Sequence, residues 1–148
     1  MHPTLTTHHS LLTMKRFLLK GIIAGVVLSV FSYVALYLAV MLFPKIAEEY
    51  YDPIFSFDEQ KGMLYFIHPF ILSFALAWFW RRFKGLFHGS FWWRGIEMGL
   101  VYALIATLPS MWLIFSSLSV SFEMVLTWFV YGVFQAVVVG IIFAKMSP

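Results

Sequence analysis

The distribution of charge along the chain limits the fold more than any other feature of the sequence. Four runs contain no Asp, Glu, Lys or Arg: 21–44, 62–80, 98–122 and 124–144, with 24, 19, 25 and 21 residues. A helix rises about 1.5 Å per residue, so about 20 apolar residues cross the ~30 Å hydrocarbon core of a bilayer. Each run is long enough to be a transmembrane helix. The sequence therefore predicts an all-α membrane protein, a four-transmembrane-helix bundle.

The composition supports this class and excludes others. Charged residues make up 11% of the 148 residues, whereas soluble domains carry about 25%. The chain has no cysteine, which excludes disulfides, thiol redox chemistry, cysteine-ligated iron–sulfur clusters and cysteine-based zinc sites. The sequence pI of 9.3 reflects cations beside the predicted membrane segments, where topology and anionic lipid explain them. No nucleic-acid partner is expected.

The cations also predict how the bundle is oriented. The predicted helices cover about 17–43, 63–80, 95–115 and 122–144. Eight of the ten Lys and Arg residues lie before the first helix, between the second and third, or after the fourth. Because cytoplasmic loops are enriched in Lys and Arg, we expect both termini to be cytoplasmic, in a bacterial inner (plasma) membrane. The eight cations are Lys15, Arg16, Lys20, Arg81, Arg82, Lys84, Arg94 and Lys145.

Residues 1–14 differ in composition from the rest of the chain, because they are polar and rich in Thr and His. We expect a disordered leader or a mis-assigned start, with translation beginning at Met14. Residues 15–148 then form a single four-helix transmembrane domain. A cleaved signal peptide is disfavoured, because the first apolar run exceeds the about 7–15 residues of a signal core and no A-x-A site ends it.

Small residues recur at helical spacing in three of the four predicted helices. In lipid, helices associate through close backbone contact and hydrogen bonds, so small residues mark the contacts. The first helix also carries Ser29 and Ser32 in its stripe of small residues. These seams either pack the bundle internally or face another subunit. The glycines that mark them are Gly21, Gly25, Gly95, Gly99, Gly132 and Gly140.

Five polar side chains within the predicted helices fall at a similar estimated height. His68 directly precedes Pro69, which removes a backbone hydrogen bond and frees the carbonyl of Tyr65. Ionisable residues inside a membrane are candidates for functional sites because burying them is costly. The layer is either a small outward-facing ligand or proton site, or a set of hydrogen bonds that fixes the bundle. Its members are His68, Tyr33, Thr107, Tyr131 and Gln135.

The charges near the inner boundary predict two interactions. Glu97 follows Arg94 by three residues, so we expect an ion pair at the inner interface, with Arg81 or Lys20 as the other available cations. The loop from Arg81 to Arg94 mixes cations with aromatic residues. This mixture predicts contact with anionic lipid.

No catalytic constellation is visible. The serines of the turn 116–121 have no His or Asp nearby to activate them, and bis-histidine haem ligation would need a second intramembrane histidine. We therefore expect no enzyme, no cofactor and no metal site. The size and layout are similar to those of small multidrug-resistance transporters. That family carries a membrane-embedded glutamate in its first helix, and the first helix here has no charge after Lys20, so no residue role carries over.

The leading interpretation is a small multi-pass inner-membrane protein that acts by helix–helix association as a non-enzymatic accessory or scaffold component. The alternative is a small dimeric transporter or channel that uses the polar layer around His68. A conducting path needs polar residues through the whole membrane thickness, whereas here they cluster at one level. The expected partners are the lipid bilayer and either a second copy or a larger membrane complex.

Overall fold

The computed structural model describes residues 4–53, 55 and 59–146, and every element in that part of the chain is helical. The first pair of long helices is α1 (Thr4–Leu42) and α3 (Glu59–Phe83), with the short α2 (Pro44–Glu49) between them. A 3₁₀ turn (Lys84–Leu86) follows. The remaining elements are α4 (Phe91–Tyr102), a π-helical segment (Ala103–Thr107), α5 (Leu108–Ser117) and α6 (Phe122–Met146).

Four helical segments are long and apolar enough to cross a membrane: Met14–Leu42, Met63–Leu86, Phe91–Ser117 and Phe122–Met146. The prediction of a four-helix transmembrane bundle is therefore confirmed. Three of the spans agree with the predicted ones to within four residues at each end, and the second extends six residues beyond its predicted end, to Leu86.

α1 begins earlier than the sequence predicted. It starts at Thr4, within the segment 1–14 for which a disordered leader or mis-assigned start was expected. Residues 4–20 contain no Gly or Pro, so no residue in that stretch interrupts a helix. Residues 1–3 of the predicted leader lie outside the described residues.

The helices pack most closely in two pairs, α1 with α3 and α4 with α6. In the first pair, Gly21 lies against Phe74 and Gly25 against Phe70, so the helices run antiparallel. The Ser73 hydroxyl donates to the Gly21 carbonyl oxygen at 2.8 Å. This bond satisfies a buried hydroxyl and fixes the rotation of α3 about its axis.

The third span contains a break in its regular helix. Pro109 has no backbone N–H and cannot donate to the carbonyl of Ile105, which lies in the π-helical segment. A π turn inserts one extra residue and rotates the next part of the helix about its axis. It brings Thr107 onto α6, where its side chain faces Gly132.

Three hydrogen bonds fix the loops at the end of the bundle where α6 begins. The Met124 N–H donates to the Ser121 hydroxyl at 3.1 Å, which is an N-cap of α6. The Ser121 N–H donates in turn to a Glu49 carboxylate oxygen at 3.3 Å. The Trp128 indole N–H donates to the Tyr50 hydroxyl at 2.5 Å. These bonds dock the region after α2 onto the start of α6.

Candidate functional site

A cluster of three polar side chains lies between α1 and α6. The Tyr131 hydroxyl donates to the Ser32 hydroxyl oxygen at 2.5 Å, and the Gln135 amide donates to Tyr131 at 2.8 Å and to Ser32 at 3.4 Å. Ser32 and Gln135 are only 6% and 2% exposed. The three groups satisfy one another, so the cluster joins two helices in a region without water to replace its bonds.

Thr107 of the predicted layer packs against α6. It is buried, and its methyl carbon would be 3.2 Å from a Cβ placed on Gly132, one residue after Tyr131. The absence of a side chain at Gly132 therefore makes room for Thr107. The structure joins two of the five predicted residues, Tyr131 and Gln135, by a hydrogen bond, and it places Thr107 against Gly132 of the same helix.

The other two members of the predicted layer lie elsewhere. Tyr33 comes directly after Ser32 on α1 but points about 100° away from it, and its side chain is 70% exposed. His68 is exposed as well. Because Gly25 lies against Phe70, antiparallel packing puts His68 level with Val27. That level is about 7.5 Å from Ser32 along α1.

Ser32 belongs to the cluster but not to the polar layer that the sequence predicted. A signal for it was present, since Ser32 lies within the stripe of small residues on α1. Its contact with Tyr131 requires a particular rotation of α1 relative to α6. The same rotation brings the rings of Phe31 and Phe134 together, with centroids 5.6 Å apart. Helical periodicity alone does not supply that rotation.

The glycine seams all lie at contacts within this chain. A Cβ on Gly95 would be 2.6 Å from the Ile141 backbone nitrogen, and one on Gly140 would be 2.8 Å from the Gly95 carbonyl oxygen. Gly99 packs against Val137 in the same interface. Gly21 and Gly25 make room for two phenylalanine rings of α3. Of the two interpretations of these seams, the geometry matches packing within the bundle.

Arg94 makes a different contact from the one expected. Its guanidinium carbon lies 5.0 Å from the centre of the Trp80 ring, a cation–π arrangement. Arg94 and Glu97, both described residues, form no ion pair within 4.0 Å of each other. The Arg94 guanidinium is directed toward α3, where it lies over the Trp80 ring instead of reaching Glu97.

A groove opens beside the polar cluster at the start of α6. Its volume is about 620 Å³, and it is lined mainly by apolar side chains of α2, of Phe43 just before α2, and of α6. Tyr131 reaches its wall, so the polar cluster borders the groove. The lining residues are Phe43, Ile46, Glu123, Leu126, Thr127, Val130, Tyr131 and Phe134.

The polar cluster can donate and accept hydrogen bonds but holds no ionisable pair. No group of three or more His, Asp or Glu side chains suitable for a metal ion comes together within the described ranges. Comparison with protein-family models, curated protein sequences and solved structures finds no match to this chain.

Proposed function

We propose that the chain is a non-enzymatic accessory or scaffold protein of the bacterial inner membrane that acts by helix–helix association. The association surface in this proposal is the outward face of α3, and its polar anchor is His68. The partner is a transmembrane helix that offers a hydrogen-bonding side chain at the depth of His68.

The observation that carries this proposal is a stripe of exposed residues along α3, here called the α3 stripe. Its members are spaced 4, 3, 4, 3 and 4 residues apart, which is the spacing of a helix seam that meets another helix. The opposite face of α3 packs against the rest of the bundle through Ser73, Ala77 and Trp80. The α3 stripe consists of Leu64, His68, Ile71, Ala75, Trp78 and Arg82.

His68 gives the stripe its polar anchor. It lies within the span Met63–Leu86 and faces away from the bundle. A neutral imidazole has one donor and one acceptor, and neither finds a partner among lipid tails. Polar side chains in membranes commonly satisfy such groups across helix interfaces. A partner helix at this face would therefore remove an unfavourable contact between His68 and lipid.

The proposal includes an orientation with both termini in the cytoplasm. Support comes from four cations that converge at one end of the bundle: Arg16 and Lys20 of α1, and Arg81 and Lys84 near the end of α3. Lys and Arg are retained preferentially on the cytoplasmic side of a membrane. The opposite end carries Glu48, which is exposed, and Glu49.

The test is native mass spectrometry of the full-length protein extracted gently from its own membrane, with His68→Leu compared against the wild type. Phe66→Leu is the matched control, because Phe66 is also exposed on α3 but lies about 200° round the helix. A stoichiometric different protein, lost in His68→Leu and kept in Phe66→Leu, is the expected result. A wild-type protein that is monomeric in every gentle extraction would contradict the proposal.

Cysteine cross-linking separates a second copy from a different partner. The chain has no cysteine, so Ile71→Cys in the α3 stripe provides a single thiol. Disulfide-linked dimers of this variant would identify the partner as a second copy and replace the accessory role by a homodimeric one. Cross-links to a different protein through a thiol-to-amine reagent would identify the accessory role.

The second candidate function is a small dimeric transporter or channel, and the groove beside the polar cluster favours it. The groove is apolar, and it borders hydrogen-bonding groups at Tyr131, which is the general composition of small-molecule sites. Gln135→Leu would abolish uptake of the transported solute into proteoliposomes without preventing assembly. If cells that lack the protein and cells that express it accumulate and export the same solutes, this candidate fails.

A further inference from the structure

The groove at the start of α6 carries a charge at one end and apolar walls along the rest of its length. Its volume is about 620 Å³, and six of its lining residues lie on one face of α6 between Glu123 and Phe134. Glu123 is the second residue of α6 and of the fourth span, so it lies at the membrane surface. We propose that this groove, here called the α6 groove, binds a phospholipid whose headgroup carries an ammonium group.

The α6 groove has the depth of one leaflet. From Glu123 to Phe134 the helix rises about 16 Å, which is roughly half of the ~30 Å hydrocarbon core. At the deep end, the Phe134 ring contacts Phe31 of α1 with centroids 5.6 Å apart, so α1 and α6 come together where the groove ends. An acyl chain that starts at the membrane surface extends through the same depth.

The two hydroxyl groups in the wall of the α6 groove are already engaged. The Thr127 hydroxyl donates to a carbonyl oxygen of its own helix at 2.7 Å. The Tyr131 hydroxyl donates to Ser32 and accepts from Gln135. The other lining side chains below Glu123 are apolar. The deep part of the groove therefore offers apolar contacts to a hydrocarbon chain and leaves no unsatisfied polar group against it.

Glu123 is the one polar side chain of the α6 groove without a partner among the described residues. It is exposed, and it forms no hydrogen bond or ion pair in that part of the chain. A second carboxylate lies nearby, because Glu49 accepts from the N–H of Ser121, two residues before Glu123, at 3.3 Å. None of the described residues that line the groove is a cation. Both carboxylates attract a positive group to this end of the groove.

The occupant is a lipid rather than a partner helix. Helices in membranes approach one another through small residues, and the small residues of α6 face the rest of the bundle, as Gly140 does toward Gly95. The lining of the α6 groove, in the part of the chain that the structure describes, includes no Gly, Ala or Ser. Its bulky apolar side chains are instead exposed along the span, so a lipid can enter sideways from the bilayer.

A primary ammonium headgroup matches the charged end of the α6 groove. An ammonium group has three N–H donors and a positive charge, and its hydrogen bonds to a carboxylate are charge-assisted. Phosphatidylethanolamine provides such a headgroup. Phosphatidylglycerol carries the same phosphate but no cation, and Glu123 and Glu49 repel its net negative charge. The α6 groove should therefore select phosphatidylethanolamine.

The test measures the lipid selectivity of the full-length protein in dodecyl maltoside. Phosphatidylethanolamine and phosphatidylglycerol with identical acyl chains are titrated separately, and native mass spectrometry gives the dissociation constant of the first bound lipid. The groove variant is Glu123→Gln. The control is Glu48→Gln, because Glu48 is an exposed carboxylate at the same end of the bundle that does not line the groove. Both variants lose one negative charge.

We expect wild type to bind phosphatidylethanolamine about three- to fivefold more tightly than phosphatidylglycerol, which is the effect of one partly exposed ion pair. Glu123→Gln should abolish this preference, and Glu48→Gln should keep it. Equal binding of the two lipids by wild type would overturn the proposal, and so would an equal loss of preference in both variants.

Val130→Trp fills the α6 groove and leaves Glu123 in place. It should also abolish the preference for phosphatidylethanolamine, whereas Leu113→Trp, at an exposed position of α5, should keep it. A preference that survives Val130→Trp would place the headgroup site outside the groove and overturn the proposal. A different protein that co-purifies with wild type and is lost only in Val130→Trp would identify a helix as the occupant, with the same consequence.

Lipid binding is independent of the proposed association through α3, because none of these variants changes a residue of the α3 stripe. A chain that keeps its lipid preference but has no protein partner would contradict the accessory role alone. A chain that has the partner but no lipid preference would contradict the lipid site alone.

Discussion

Gly95 and Gly140 bring the backbones of α4 and α6 into direct contact. A Cβ on Gly140 would lie 2.8 Å from the Gly95 carbonyl oxygen and 2.9 Å from its Cα. The obstruction is backbone on both sides, so no rotamer change can relieve it. The closeness of this helix pair therefore depends on the absence of two side chains.

The first prediction is that Gly140→Ala destabilises the protein. The methyl group forces α4 and α6 apart, which costs about 1–3 kcal/mol as in other overpacked cores. Gly85→Ala is the control, since a Cβ there meets nothing within 4 Å. Thermal unfolding in detergent should show a lower Tm for Gly140→Ala and a Tm within error of wild type for Gly85→Ala. Equal Tm values for the two variants would refute the close contact.

The second prediction concerns Gly25, where the obstruction is a side chain. A Cβ there would lie 2.5 Å from a Phe70 ring carbon, so Gly25→Ala should also lower the Tm. Adding Phe70→Leu removes the ring and should restore part of the loss. The double-mutant cycle should give a favourable coupling of about 0.5–3 kcal/mol, as for residues in contact. Purely additive effects would mean that Gly25 and Phe70 do not face each other.

The positions of the helices were predictable because they depend on charge and hydropathy alone. Lys20, Lys45, Lys61 and Arg81 bound the first two apolar runs, and no packed structure is needed to see that a charge is costly inside a bilayer. The same holds for Ser121, whose role as the N-cap of α6 is a consequence of its position before an apolar helix. Both are local consequences of sequence.

The rotation of each helix about its axis was not predictable from the same information. His68 and Ser73 both lie on α3, yet Ser73 is buried against Gly21 and His68 faces outward. Which of them turns inward depends on how Phe70 and Phe74 fill the space left by Gly21 and Gly25. Height estimates place a residue along the membrane normal, but they give no direction around it.

The third prediction tests the polar cluster. Tyr131→Phe removes the hydroxyl that joins Ser32 and Gln135, and interhelical hydrogen bonds in membranes contribute about 0.6 kcal/mol on average and up to about 1.7. We expect a measurable fall in Tm. Tyr33→Phe removes the same group from an exposed side chain and should leave the Tm unchanged. A larger fall in Tm for Tyr33→Phe than for Tyr131→Phe would mean that Tyr33, and not Tyr131, makes the structural hydrogen bond.

The fourth prediction tests the proposed orientation. Because the chain has no cysteine, a single introduced thiol reports which side of the membrane its position occupies. Ser119, between α5 and α6, and His88, between the 3₁₀ turn and α4, are both exposed and lie at opposite ends of the bundle. With both termini in the cytoplasm, Ser119→Cys should react with a membrane-impermeant maleimide in intact spheroplasts.

His88→Cys should react with the same maleimide only after the membrane is permeabilised, because its loop contains Arg81, Arg82 and Lys84, which the positive-inside rule retains in the cytoplasm. Labelling of both variants in permeabilised cells shows that each thiol is accessible. The reverse pattern would contradict the proposed orientation.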